Sequence, residues 1–141
     1  MRNSVRGILA GAAVLGALLV PATAEATPSS GVTGVILSKT TLGKTDYILR
    51  EITIQPGGGT GWHYHDGTLY AFVKAGTLTH NDADCVTEDV YRTGSTFPEH
   101  PDLVHIGRNL GTTPVVLDVL YVLPTGSPLS EDAPNPGCDF Q

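Results

Sequence analysis

Gly61-Trp62-His63-Tyr64-His65-Asp66-Gly67-Thr68-Leu69-Tyr70-Ala71-Phe72-Val73-Lys74-Ala75-Gly76 is the stretch on which the fold turns. Its second half is apolar, rich in aromatic and branched residues, and bounded by glycine. In an extended chain successive side chains point to opposite faces. Leu69, Ala71 and Val73 then share one face, turned toward an interior, while Tyr70 and Lys74 face outward. His63 and His65 are also two apart, so both imidazoles project to one side and can share a cation. Zinc, iron, copper and nickel all accept neutral imidazole at about 2.0–2.2 Å. Trp62 and Tyr64 fall on the opposite face, where packing or a rim contact is expected of them.

Outward from this stretch the same short-strand pattern repeats. Apolar runs predict strands over 32–38, 46–55, 61–65, 69–75, 77–81, 89–92, 95–97, 105–109 and 115–123. Pro56-Gly57-Gly58-Gly59, Asp66-Gly67, Gly76, Thr93-Gly94 and the segment 107–111 supply the turn residues between them. No helical stripe interrupts the series. The fold class is therefore all-β, a single antiparallel barrel or sandwich. Val115-Val116-Leu117, with Asp118 the only charge before Val122, predicts a central strand covered on both faces.

Two segments together resemble the cupin family. The first is the stretch quoted above, with its His-x-His and the glycine at 76. The second runs from Gly94 through Pro98 to His105-Ile106-Gly107-Arg108-Asn109, ending in His-x-x-x-Asn. The resemblance implies a double-stranded β-helix, the cupin jelly roll, over residues 27–123. It also implies three metal ligands, His63, His65 and His105, for a divalent transition metal: Fe, Mn, Ni, Cu or Zn. Assembly as a homodimer through edge strands is a further implication. Two departures stand out. The family's acidic ligand position, seven before Gly76, holds Leu69. The Pro-x-Gly before the last histidine reads Pro98-Glu99-His100, with a longer interval to His105. Without an acidic ligand the ion keeps its full charge. It should then favour an anionic small molecule, such as a carboxylate, enolate or catecholate, in an otherwise apolar cup.

The remaining polar residues are assigned less directly. His100 is expected at the surface of a proline-rich loop, with a fourth ligand as the alternative. His80 is expected to be solvated. Asn109 is read equally as a turn-former or as a residue orienting His105. Glu99 becomes a general base only if its loop folds over the cavity. No Gly-x-Ser-x-Gly or other nucleophile set occurs, and Pro56 to Gly59 lacks the lysine and helix of a phosphate loop.

Residues 1–26 read as a signal peptide: Arg2 and Arg6, an uncharged run from Ile8 to Val20, and small-x-small sites ending at Ala24 or Ala26. The run is shorter than the ~20 apolar residues a spanning helix needs. Export to the periplasm or outside the cell follows, with no membrane attachment after cleavage. The formal charge of −6, more negative once the signal is removed, argues against nucleic-acid partners. The two cysteines, Cys85 and Cys138, then read as a disulfide, with two free thiols as the alternative. Closing a ring of about 50 residues is worth roughly 4 kcal/mol in the chain-entropy picture. It would tie down 124–141, an irregular tail.

The functional expectation is a dioxygenase-like metalloenzyme acting on a small oxygenated molecule. The alternatives are a binding module without turnover and a barrel whose histidines bind nothing. Fold alone does not separate them.

Overall fold

The computed structural model describes residues 25–141. The predicted signal segment falls almost wholly outside the described residues. Ten strands and no helix occur among them. Two five-stranded antiparallel layers face each other. The first holds β1 (Ser30–Leu42), β2 (Thr45–Gly59), β9 (Val115–Pro124), β4 (Thr68–Ala75) and β7 (Thr96–Glu99), in that spatial order. The second holds β6 (Glu88–Arg92), β5 (Thr77–Asp82), β8 (His105–Arg108), β3 (His63–Tyr64) and β10 (Glu131–Asp132). A single strand pairing, Gly59 of β2 with Arg108 of β8, joins the layers. This is the all-β antiparallel barrel expected from the strand pattern, in the jelly-roll form that the cupin resemblance implies.

Alternation explains the core. On β4, Leu69, Ala71 and Val73 are buried while Tyr70 and Lys74 are exposed, as the period-two reading requires. On β9 the buried set is Val115, Leu117, Val119, Tyr121 and Leu123. With Ile48, Ile52 and Ile54 of β2 and Phe97 of β7 they form one apolar cluster between the layers. The outer face of β9 is only half-buried, so the strand is central but covered fully on one side rather than both.

Three differences from the sequence reading concern the edges. β1 extends six residues in all beyond the 32–38 expected for it, and it pairs along one edge only, with β2. Its apolar run is not core: Val35, Ile36 and Leu37 are each at least half exposed. β3 shrinks to two residues, with bends at Trp62 and at Asp66–Gly67 on either side of it. The tail is not wholly irregular, since β10 pairs with β3, Glu131 opposite Tyr64 and Asp132 opposite His63. The disulfide Cys85–Cys138 is present. Beside it Trp62, Ile106, Ala133 and Cys138 form a second buried cluster, with the Phe140 ring tilted against Trp62 and Arg108 over the Phe140 ring. Trp62 is thus a packing residue, as its parity suggested.

Candidate metal centre

β3 and β8 are neighbours, and their pairing sets His63 directly opposite His105. His65 follows two residues after His63, on the same side. The three rings converge, with centroids 4.9 Å apart for His63 and His65, 4.4 Å for His63 and His105, and 5.2 Å for His65 and His105. One nitrogen of each lies within 4.8 Å of the others, so the trio could hold a metal ion. All three residues are buried.

The tautomers follow from the backbone. His63 Nδ1 lies 2.9 Å from the Gly61 carbonyl, His65 Nδ1 2.7 Å from that of Leu129, and His105 Nδ1 2.8 Å from that of Leu103. A carbonyl can only accept, so each Nδ1 carries a hydrogen, and Nε2 is the nitrogen left to face an ion, giving up any proton it carries when one binds. Metal-binding histidines are held in this way, the far nitrogen fixing ring and tautomer. Gly61 serves this arrangement through its left-handed φ of +73°, and a side chain there would run into the Thr27 carbonyl. His65 and His105 Nε2 are buried without a hydrogen-bond partner. Leaving such atoms unpaired is costly unless something else binds them.

Glu99 stands among these nitrogens. It ends β7 rather than sitting in a loop, and it lies directly opposite Leu69 across the β4–β7 ladder. Its Oε2 is 3.2 Å from His65 Nε2, and its Oε1 is 3.5 Å from His105 Nε2 and 3.6 Å from His80 Nε2. Two ligands at right angles on one ion, each about 2.0–2.2 Å from it, stand about 3 Å apart, so Glu99 is spaced to share an ion with His65 or His105, although it falls in a group with His80 and His105 rather than with the trio. The inference from Leu69 that the centre lacks a nearby acid is therefore corrected: the neighbouring strand brings one into place. The ground for expecting an uncancelled ionic charge goes with it.

His80 is also corrected. It is not solvated; its side chain is nearly buried, stacked on His105 at 4.9 Å between centroids, with an unpartnered Nε2. His80, Glu99 and His105 form a second group able to hold a cation. His100 is exposed, as expected. Asn109 is a structural residue: its amide donates to the carbonyls of Ile54 and Thr113 and its side-chain oxygen accepts from Gly111.

Burial holds the His63 imidazole down to about 3, helped by the neighbouring His105 and His65 and opposed by the Gly61 carbonyl and Glu99. Burial alone would raise Glu99, but the imidazoles of His105, His65 and His80 outweigh it and hold its carboxyl well below the usual range. The centre is thus poised with neutral His63 and an ionised Glu99. It opens on a cavity of about 40 Å³ whose other walls include Leu69, Ala71, Leu78, Leu117 and Val119.

The chain is thus a jelly-roll barrel with a histidine cluster at its His-x-His motif. Residues 50–123 match the family described as Cupin domain, more than half of the chain, and the protein belongs to the cupin family. No curated protein matches the sequence. Among solved structures it is similar to the polyketide cyclase RemF of Streptomyces resistomycificus, with TM-score 0.60 and 15% identity over 89% of this chain and 90% of that one. It is also similar to a cupin-like protein of Thermotoga maritima, with TM-score 0.59 and 18% identity over 76% of this chain and 80% of that one. A cupin 2 conserved barrel domain protein of Rhodopseudomonas palustris gives TM-score 0.60 and 16% identity over 79% and 72%. Identities this low establish the fold alone.

Proposed function

We propose that the protein is an exported metallo-cupin that binds a divalent transition metal, Fe, Mn, Ni, Cu or Zn, through Nε2 of His63, His65 and His105. Glu99 serves as a fourth donor. The observation that carries this reading is the set of three Nδ1–carbonyl hydrogen bonds, which leave three Nε2 atoms converging on one point. The ion supplies Lewis acidity beside an apolar cavity. The chain's own residues hold it, exclude water from one side and leave the other side open for a small oxygenated organic molecule. Dioxygenase-like turnover is the activity proposed. The disulfide supports export to an oxidising compartment.

Binding without turnover is the second reading, and one observation favours it. Among the described residues, Glu99 is the only carboxylate lining the inner cavity. Engaged by an ion, it is not free to take a proton from a substrate.

Elemental analysis of protein purified from its native host tests the first step. Stoichiometric metal is expected, together with a melting temperature lowered by EDTA. Metal-free protein whose stability is indifferent to EDTA and to added metals would end this reading. Oxygen uptake by reconstituted protein with enediols, flavonols or diketones then separates turnover from binding.

A further inference from the structure

Arg50 lies on the inward row of β2, in phase with Ile48, Ile52 and Ile54. A cation in that row calls for an explanation. Lys39, Lys74 and Arg108 each have an acidic partner, whereas no carboxylate lies within ion-pair distance of Arg50 among the described residues. Its half-buried guanidinium is seated on the backbone of Gly34 in β1. A Cβ at position 34 would come within 2.3 Å of both Nε and Nη2. Gly34 has no left-handed φ, so close approach rather than backbone conformation is what glycine supplies there.

The guanidinium opens on a vestibule of about 200 Å³ that also touches His63, His65 and Tyr121. One hollow therefore joins a guanidinium that has no carboxylate partner and lies beside the Tyr121 hydroxyl to the open side of the histidine centre. The hollow is smaller than the ~300–1,000 Å³ of drug-sized pockets, so its occupant is a small molecule. Asp132 also borders it, exposed at the rim. Ser29, Ser130 and Thr60 add hydroxyls to the walls. A planar guanidinium matches a carboxylate through two parallel hydrogen bonds.

We infer that Arg50 recognises the carboxylate of the molecule bound at this centre, so that the ligand class is a small organic acid. This rests on the metal reading above but draws on different residues. The preference for an anion then comes from a fixed guanidinium rather than from an uncancelled ionic charge.

Pyruvate and butane-2,3-dione are probes of similar size, one carrying a carboxylate and one neutral. Titration calorimetry on zinc-loaded protein should show pyruvate bound at least about tenfold tighter than the dione, the discrimination expected of a charged hydrogen-bond pair. Arg50→Gln should erase that difference, leaving zinc content and dione affinity unchanged. Gly34→Ala keeps the charge but pushes the guanidinium off its seat, and should also weaken pyruvate selectively. Pyruvate binding to Arg50→Gln within twofold of wild type overturns the inference. So does an equal loss for both probes, which would mark Arg50 as a structural residue only. Should wild type hold no zinc, the metal reading fails by itself. The same pair of probes on EDTA-treated protein then decides: Arg50-dependent preference for pyruvate upholds the inference, and its absence overturns it.

Discussion

β4 and β7 run side by side, and at one register position they have divided two tasks between them. Leu69 on β4 and Glu99 on β7 stand directly opposite each other, both turned toward the cavity. Leu69 is 1% exposed and belongs to the apolar core. Glu99 is surrounded by imidazole nitrogens. Directly opposed side chains sit about 5 Å apart on one face of a sheet. A carboxylate can therefore move from one strand to the other and still reach the same ion. A family motif records positions along the chain, whereas an ion senses only positions in space.

The largest effect should come from the group both strands are arranged around. His105→Ala removes one of three converging imidazoles, and chelator competition should show metal affinity falling by more than about a hundredfold. Wild-type affinity in this variant would mean the ion, if bound, does not sit between β3 and β8.

Acidification probes the same group through stability. In EDTA-treated protein the unfolded His63 takes up its proton near 6.5, the folded one only at about 3. Between these values the unfolded chain binds more protons, so stability falls as pH drops through that window. The loss is on the order of 5 kcal/mol if all of it is traversed. Glu99, held low, contributes stability above the ordinary carboxylate range that is also lost as pH falls through its lowered value, so the two add. Urea midpoints from pH 7 to 4 test this. His63→Asn should flatten the slope, and a wild-type slope equal to that of the variant would contradict it.

Leu69→Ala addresses the β4 side of the comparison. Truncating a fully buried leucine costs about 2–5 kcal/mol, read from denaturation midpoints, while metal affinity should stay within about threefold. A fall in affinity as large as that of the histidine variant would show that Leu69 shapes the centre itself.

Much of the barrel was legible because alternation is local. The parity of 69–75 gave the buried face of β4, and His63-Tyr64-His65 gave two ring directions without any structure. The glycine turns and the cysteine pair were equally direct. The sequence reading puts Glu99 in a loop and His80 in solvent, although each is in phase with a buried neighbour: Glu99 with Phe97, His80 with Leu78. That parity was readable. What could not be read was the register, since the pairing of 69 with 99 depends on strand order. The tail was the hardest case. Nothing periodic in 124–141 announces that Leu129 offers a carbonyl to His65 or that Asp132 pairs with His63. Those contacts are made by backbone, which any residue carries.

The finest test exchanges the two opposed residues. Glu99→Leu should lower metal affinity by about 10–100-fold, because it takes the carboxylate away from the imidazole nitrogens that surround it. It should also soften the acid-induced loss of stability, because one depressed carboxyl is gone. Adding Leu69→Glu to that variant restores a carboxylate to the same face, roughly 5 Å away across the ladder. The double variant should recover most of the affinity, and its cobalt-loaded visible spectrum should return toward that of wild type. Recovery would mean that only the spatial position of the acid matters, and the two strands are interchangeable as its source. No recovery, in a double variant that melts like wild type, would mean that the ion sits on the His80 and His105 side of Glu99. Position 69 cannot then substitute, and the strands are not equivalent.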